Sequence, residues 1–372
     1  MIHSPRALWH QRQRFLPAVL VVAFSALLII LQAGLLLGFF SLKSIPIDHA
    51  SADIWVAHPA VRSVDVGRPF PETWLDRVAV QPEVVRTDTL LMTFLTLNKP
   101  DGQSETCILI GSRLDDESLG AVSELTPQLR QRLTEPGTFV VDETDMGSFG
   151  RQGNEDIAEA FGQRVRLVGR VHGLKGLGAA YLFCSLETAR ILCRGIRRDE
   201  VSFLLVRCRD ADDAGRLARR LREQYHMAVF TRDEFSTSTR LYWLTKTQAG
   251  IATAWTAALG LLVGTVITSQ ILYGATASYR REYAVLRAMG VPRWRMTLAV
   301  LTGSFWVGCA GIGLAIVGAY GMVRIADALT IKVVLTPKLL GGGAAITIVM
   351  AFLSSLAALR AQRRVEPAEL LH

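Results

Sequence analysis

Apolar and polar positions divide this chain into four long uncharged runs and one mixed, alternating middle. Phe15 to Phe40, Ile251 to Tyr273, Met296 to Val323 and Leu339 to Leu359 contain no Asp, Glu, Lys or Arg, and each is 21 to 28 residues long. At 1.5 Å rise per residue, roughly 20 helical residues cross a hydrocarbon core about 30 Å thick. Each run therefore predicts a membrane-spanning helix, and a buried core helix is the weaker reading for uncharged runs of this length. The predicted fold class is membrane α-helical, with four transmembrane helices and an α+β extracytoplasmic domain inserted between helices 1 and 2.

Between the first two runs the pattern shortens to strands and amphipathic pieces. Ala52 to Ala57 predicts a strand, and Pro71 to Val80 a short helix, with Glu72 near its start and Trp74, Leu75 and Val78 at helical spacing. The β-rich runs Val84 to Leu97 and Thr106 to Ile110 flank Asn98 to Gly102, whose Pro-Asp-Gly is a turn signal, so the two runs predict a hairpin. Gly111 to Pro136 is polar and helical in part, Gly137 to Asp142 reads as a short apolar strand, and Arg164 to Val171 alternates. Val201 to Arg207 then leads through Asp210, Asp212 and Asp213, an N-capping acid cluster, into a helix over Ala214 to Tyr225 and a strand over Met227 to Phe230. Taken alone, this α+β unit reads as a folded domain without chemistry. Ser236 onward carries Leu241, Trp243 and Leu244 and meets no Pro or Gly before Gly250. That pattern predicts one continuous stalk helix running from the second span into the domain, able to carry motion without a hinge.

The expected boundaries are a cytoplasmic N-terminus over 1–14, helix 1 over 15–42, the extracytoplasmic domain with its stalk over 43–247 and helix 2 over 248–277. A cytoplasmic segment over 278–295, helix 3 over 296–325, a short outer loop over 326–338, helix 4 over 339–359 and a cytoplasmic tail over 360–372 complete the chain. Its mean hydropathy of +0.28 is high for a soluble protein of 372 residues. The first span follows Arg6, Arg12 and Arg14 and precedes Ala50-Ser-Ala52, the outline of a signal peptide. Its apolar part is about twice the usual ~7–15 residues, so it is expected to be retained.

Charge orients the spans. Lys43 to Thr247 holds 27 Lys and Arg against 29 Asp and Glu, a net of −2, whereas the rest of the chain carries +10, which together make the overall +8. The basic excess lies beside the spans, so the high pI is no nucleic-acid signature. Positive residues favour the cytoplasmic side, which places the N-terminus, the segment around Arg280 to Arg295 and the tail with Arg360, Arg363 and Arg364 inside. Arg324, Lys332 and Lys338 on the short outer connection run mildly against that rule. Both termini are thus expected in the cytoplasm, with the large domain on the outer side of the membrane.

Ser278 to Met296 is the densest basic segment, with five arginines, three of them at helical spacing ahead of a Gly-x-Pro stop and two just after it. It predicts a short amphipathic helix on the cytoplasmic face, where a soluble partner can push. A solvated loop that merely obeys the charge rule is the plainer alternative. Leu286 follows Glu282 by four residues on the apolar face, Arg287 suits an acidic groove, and Gly290 ends the helix. Gly34-x-x-x-Gly38 and Gly260-x-x-x-Gly264 have the small-residue spacing that lets helix backbones approach in lipid, either in a homodimer or within the chain.

Several chemistries lack a site. There is no Gly-x-x-x-x-Gly-Lys-Ser/Thr phosphate loop, and Gly169 to Gly178 lies outside the membrane and reads as a mobile loop. None of the seven histidines shows metal spacing, and no Gly-x-Ser-x-Gly elbow is present. The spans carry no ionisable residue to relay a proton, which disfavours a secondary transporter. Cys107, Cys184, Cys193 and Cys208 fall in the large domain, where Cys184 and Cys193 are the nearest pair, and burial as free thiols is as good a reading as a bridge. No cofactor is expected in this chain.

Arg280 to Gly290, the order of one span, a large outer domain and three spans, and the ending Arg363-Arg-Val-Glu-Pro-Ala-Glu-Leu-Leu371 together resemble the FtsX/MacB-type (type VII) ABC transporter permeases. Leu31 to Leu35, Ala52 to Val56 and the Phe70-Pro-Glu region look most like the DevC branch. The resemblance implies a homodimeric permease, not itself an enzyme, driven by a separate cytoplasmic ABC ATPase subunit that binds ATP-Mg. Its coupling residues would be Arg280, Arg281, Glu282, Leu286, Arg287, Gly290 and Arg293. It also implies mechanotransmission, in which ATPase closure moves the outer domain, and a periplasmic adaptor and outer-membrane channel as partners, beside membrane lipid. A signalling scaffold that activates an envelope hydrolase and a lipoprotein-release permease are the competing readings within the resemblance.

Overall fold

Helix α1, Arg12–Ser41, opens the part of the chain that the computed structural model describes, which comprises residues 12–98, 102–148, 157–277, 292–328 and 333–363. The chain divides into two units, Met1–Gly38 with Ile251–His372, and Phe39–Gly250.

In the second unit a 3-10 turn over Leu42–Ser44 passes into α2 (Ile45–Asp48) and β1 (Ile54–Ala57). A further 3-10 turn over Val64–Val66 precedes β2 (Phe70–Pro71) and α3 (Trp74–Ala79). The expected hairpin follows as β3 (Val84–Asn98) and β4 (Ser104–Ser112), paired antiparallel from Leu91↔Gly111 to Asn98↔Ser104. Next come α4 (Pro127–Leu133), β5 (Thr138–Asp142), β6 (Ile157–Ala160), β7 (Gln163–Val171), β8 (Ala180–Ser185) and α5 (Leu186–Leu192). The unit closes through β9 (Glu200–Val201), β10 (Phe203–Cys208), α6 (Ala214–Tyr225), β11 (Ala228–Thr231) and α7 (Arg232–Lys246).

Nine of these strands form one sheet in the order β11-β1-β10-β3-β4-β8-β5-β7-β6, and β6 returns to touch β3 at Asn98↔Glu159. β3 is its spine. Its first half pairs with β10 up to Leu90↔Phe203, and its second half pairs with β4 from Leu91 onward. Side chains alternate across the sheet, as a strand period of two requires. Leu204 and Val206 of β10 face one core with Leu91, Leu217 and Leu221, while Phe203 and Leu205 face the other with Trp55, Leu90, Tyr181 and Phe235. Both faces are therefore covered.

The acid cluster before α6 divides its work differently from a simple N-cap. Asp210 caps a separate 3-10 turn over Ala211–Asp213 by accepting from Asp212 N, whereas Asp213 makes no side-chain cap and pairs with Arg216.

The first unit holds α1 together with α8 (Gln248–Ala277), α9 (Arg293–Ala328) and α10 (Pro337–Arg363). Two helical stretches among the described residues are long and apolar enough to cross a membrane, Leu16–Asp48 with 33 residues and Phe305–Ala326 with 22; the apolar stretches Gln248–Gly264 and Pro337–Met350 are shorter. Large apolar side chains point outward from these helices, including Leu20 and Phe24 on α1, Trp255 and Leu259 on α8, and Val317 and Ile325 on α9. Contiguous outward apolar surface is what lipid accepts and water does not.

The structure corrects one feature of the stalk. α7 stops at Lys246, Thr247 is extended with φ −101° and ψ 146°, and α8 starts afresh at Gln248, so the expected continuous helix is broken. The break falls at Thr247, whose hydroxyl bonds to both helices, with Gly250 packed against the last turn of α7.

Candidate functional site

The second unit starts at Phe39 and ends at Gly250, and the segments nearest its two ends are fastened together by a polar knot. α7 is set in place first. Thr231 and Glu234 form a capping box at its start, with Thr231 Oγ1 accepting from Glu234 N at 3.3 Å and Glu234 Oε2 accepting from Thr231 N at 3.1 Å. Phe235 is fully buried, stacked on Phe230 with ring centroids 4.9 Å apart and packed on Trp55 and Phe203 at 5.6 and 5.8 Å. The helix is thereby seated on the sheet, and its next turns carry Thr239, Arg240 and Trp243 toward the start of the unit.

Lys43, Asp65 and Trp243 make the buried part of the knot. The side chains of Lys43 and Asp65 are 4% and 1% exposed, and Lys43 Nζ lies 3.6 Å from Asp65 Oδ2, too long for a hydrogen bond and close enough to pair the charges. Asp65 Oδ1 accepts from Trp243 Nε1 at 3.1 Å and from Ser63 Oγ. The Lys43 ammonium also sits 3.9 Å from the centroid of the Trp243 ring. A desolvated cation over an indole gains about 2 kcal/mol, whereas removing one partner of a buried ion pair costs about 3–5 kcal/mol because the other charge is left without compensation. The knot therefore holds only when all three side chains are in place.

A second layer, partly exposed at Arg240 and Asp48, surrounds it. Arg240 donates to Ser44 Oγ at 2.8 Å and to Asp48 Oδ2 at 2.6 Å, and Ser44 Oγ donates to Asp48 Oδ2 at 2.7 Å. Thr239 Oγ1 accepts from Val64 N at 3.2 Å, and Ser238 Oγ donates to Arg62 O at 2.9 Å. From the sheet, Tyr181 OH donates to Leu42 O at 3.2 Å, and burial, followed by the charges of Asp65 and Asp145, pushes its phenol up so that it stays a donor. These contacts tie α7 to the turns at Leu42–Ser44 and Val64–Val66.

In the glycine-rich segment Asp142 Oδ2 accepts from Leu174 N at 2.6 Å and Asp145 Oδ2 accepts from Gly176 N at 3.0 Å, so two of its backbone donors are held by carboxylates of the same chain. The four cysteines of this unit are buried, and no disulfide joins them. Among the described residues, no group of three or more His, Cys, Asp or Glu is placed to hold a metal ion.

Of the residues expected to couple to an ATPase, Arg280, Arg281, Glu282, Leu286, Arg287 and Gly290 lie outside the described residues, and Arg293 is the first residue of α9. Gly34 and Gly38 lie on α1, where Gly34 O accepts from Val334 N at 3.1 Å. Gly260 and Gly264 of α8 face α1 of the same chain; a Cβ at Gly260 would stand 3.3 Å from Gln32 Cγ, and one at Gly264 3.8 Å from Ser25 O. The sequence reading named Trp243 as a stalk residue and did not pair it. Lys43 and Asp65 were missed: the pair is 22 positions apart with a strand between, and a lone lysine after a span is an ordinary boundary mark.

Residues 239–367 match the family model described as FtsX-like permease C-terminal. That family comprises membrane subunits of ABC transporters that are not themselves the ATPase. No curated protein matches the chain. Among solved structures, the periplasmic region of MacB from Actinobacillus actinomycetemcomitans is 12% identical, with a TM-score of 0.36 over 52% of this chain and 94% of that one. The extracellular domain of the noncanonic ABC-type transporter YknZ from Gram-positive bacteria is 15% identical, with a TM-score of 0.34 over 48% of this chain and 98% of that one.

Proposed function

We propose, with the FtsX-like permease match over residues 239–367 as the premise, that this chain is the permease subunit of an ATP-driven ABC exporter of the MacB type, of the DevC branch. It works as a homodimer with a separate cytoplasmic ATPase and crosses the membrane four times, with both termini inside. The observation that carries the reading is the extent of the match, which runs from within α7 through the arginine-rich segment and the last apolar helices into the tail. One stretch of chain thus contains the surface an ATPase would push and the helix that reaches the second unit. Closure of the ATPases would act on the segment with Arg280, Arg281, Glu282, Leu286, Arg287, Gly290 and Arg293. The knot of Lys43, Asp65 and Trp243 gives the second unit a stiff attachment for that motion, and the moved domain engages a periplasmic adaptor.

The test is co-purification of the chain with its ATPase subunit, followed by ATP hydrolysis in lipid nanodiscs. Gly290→Pro and Glu282→Lys should abolish the stimulation that the permease gives the ATPase while both variants still insert in the membrane. Full stimulation in both would reject the coupling role of the segment.

A further inference from the structure

α7 ends at Lys246, and the hydroxyl of Thr247 bonds to both sides of the break. Thr247 Oγ1 donates to Trp243 O at 2.6 Å and accepts from Gly250 N at 3.0 Å, closing the last turn of α7 and capping the first turn of α8. The elbow is tight. A Cβ built on Gly250 would lie 1.8 Å from Trp243 O and 2.8 Å from Trp243 C, so only glycine lets the new helix start against that peptide. Gly250 is also buried.

Trp243 therefore belongs to two structures at once. Its carbonyl is the surface on which the elbow closes, and its indole is held by Asp65 through Nε1 and by Lys43 over the ring. A change of the elbow bears on the Trp243 peptide, the group that Thr247 Oγ1 bonds and Gly250 packs against. Moving Trp243 takes a hydrogen bond from Asp65 and the ring from Lys43 inside a nearly water-free site, where neither charge has a substitute.

We infer that the Thr247 elbow and the buried Lys43–Asp65 pair form one two-state latch, with Trp243 as the part they share. In the closed state the elbow is bent and the pair is covered. In the released state Thr247 joins the helix, α7 and the first turn of α8 become one rod, and the Val64–Val66 turn is let go. The inference rests on the export reading only in giving the latch a task; the latch itself requires no ATPase. Because coupling is reciprocal, a lesion at either end must be felt at the other.

Hydrogen–deuterium exchange on the full chain in lipid nanodiscs, without nucleotide or ATPase, tests it. Gly250→Ala should speed exchange of Leu42–Asp48 and Ser63–Val66 by about tenfold while β5 and β8 keep their protection. Thr247→Val, a smaller lesion at the same elbow, should move the same peptides in the same direction, and it decides the matter if Gly250→Ala loses the protection of β5 and β8. In the other direction, Asp65→Asn should speed exchange of the Gly250 amide. Faster exchange confined to residues 243–250 in the elbow variants, with a wild-type Gly250 amide in Asp65→Asn, would show two independent features and overturn the latch. Failure of ATPase stimulation in the coupling-segment variants is a separate measurement and would leave this result standing.

Discussion

Arg240 on α7 and Asp48 at the end of α2, 192 residues apart in sequence, are joined by a hydrogen-bonded ion pair of 2.6 Å. The two residues lie near opposite ends of the chain segment that forms the second unit, so the pair closes that unit's long loop of chain. Arg240 and Asp48 are 43% and 30% exposed in their side chains, while Lys43 and Asp65 nearby are 4% and 1% exposed. The two ion pairs lie in the same knot at different depths, and their energetics should differ accordingly.

Arg240→Ala should lower stability by about 1 kcal/mol or less, since water screens the pair. Asp65→Ala should cost about 3–5 kcal/mol because it strands the Lys43 charge, and the double variant Lys43→Met, Asp65→Leu should recover much of that loss. Denaturant titration of the full chain in detergent, followed by tryptophan fluorescence, measures all three. A double variant as unstable as Asp65→Ala would show that the charges are needed for more than each other.

The loop after β7 offers a contrast between two carboxylates. Asp142 is fully buried and accepts from Thr144 N at 2.9 Å, Thr144 Oγ1 at 2.6 Å and Leu174 N at 2.6 Å. Asp142→Ala should cost about 1–3 kcal/mol for each buried donor left unpaired. Asp145 is held above the usual carboxylate range by burial first and by the charge of Asp142, against the opposing bond from Gly176 N. Its charge is disfavoured in the fold, so its penalty is absent below the ordinary value of 3.8 and grows as pH rises through the raised folded value. Asp145→Asn keeps an acceptor for Gly176 and removes the charge, so it should be neutral or stabilising at pH 7. Melting curves of both variants at pH 5 and pH 7 separate the two roles.

Elements with local signals were legible in the sequence. The Pro-Asp-Gly turn signal gave the β3–β4 hairpin, and the acid cluster of Asp210, Asp212 and Asp213 gave α6 with its observed ends. β8 was not legible, although it lies near the centre of the sheet, because all six of its residues are buried and a short run covered on both faces does not alternate. The break at Thr247 escaped because a threonine hydroxyl that bonds to both helices leaves no signal in the spacing. The knot escaped for a different reason. Lys43, Asp65 and Trp243 meet through the fold of the whole unit, and no spacing along the chain encodes that meeting.

Burial sets the behaviour of the thiols. Cys193 is pushed up to about 12 and Cys208 to about 11 from an ordinary 9.0, in each case by burial first, and Cys184 is raised well above 9.0 by burial and then by Cys193. The folded chain keeps them neutral where the unfolded chain ionises them, so this contribution to stability is whole below 9.0 and is lost as pH climbs toward 11 and 12. At pH 8 they should resist Ellman's reagent until the chain unfolds, since the thiolate is the reactive form. Rapid titration of more than two of the five thiols in the native chain would contradict this.

With the half-buried Cys309 replaced by Ser, that silence of the buried thiols makes the proposed topology measurable. Ser104, at the start of β4, is exposed, and Ala368 lies in the basic tail expected inside the cell. Ser104→Cys should react with a membrane-impermeant maleimide in spheroplasts, where the outer face of the inner membrane is open to the reagent. Ala368→Cys should react only after the membrane is permeabilised. The charge distribution gives the sense of the result, because the second unit is nearly neutral while the segments beside the spans carry the basic excess that resists export across the membrane. Labelling of Ala368→Cys in sealed spheroplasts would invert the orientation and, with it, put the arginine-rich segment on the side where no ATPase could reach it.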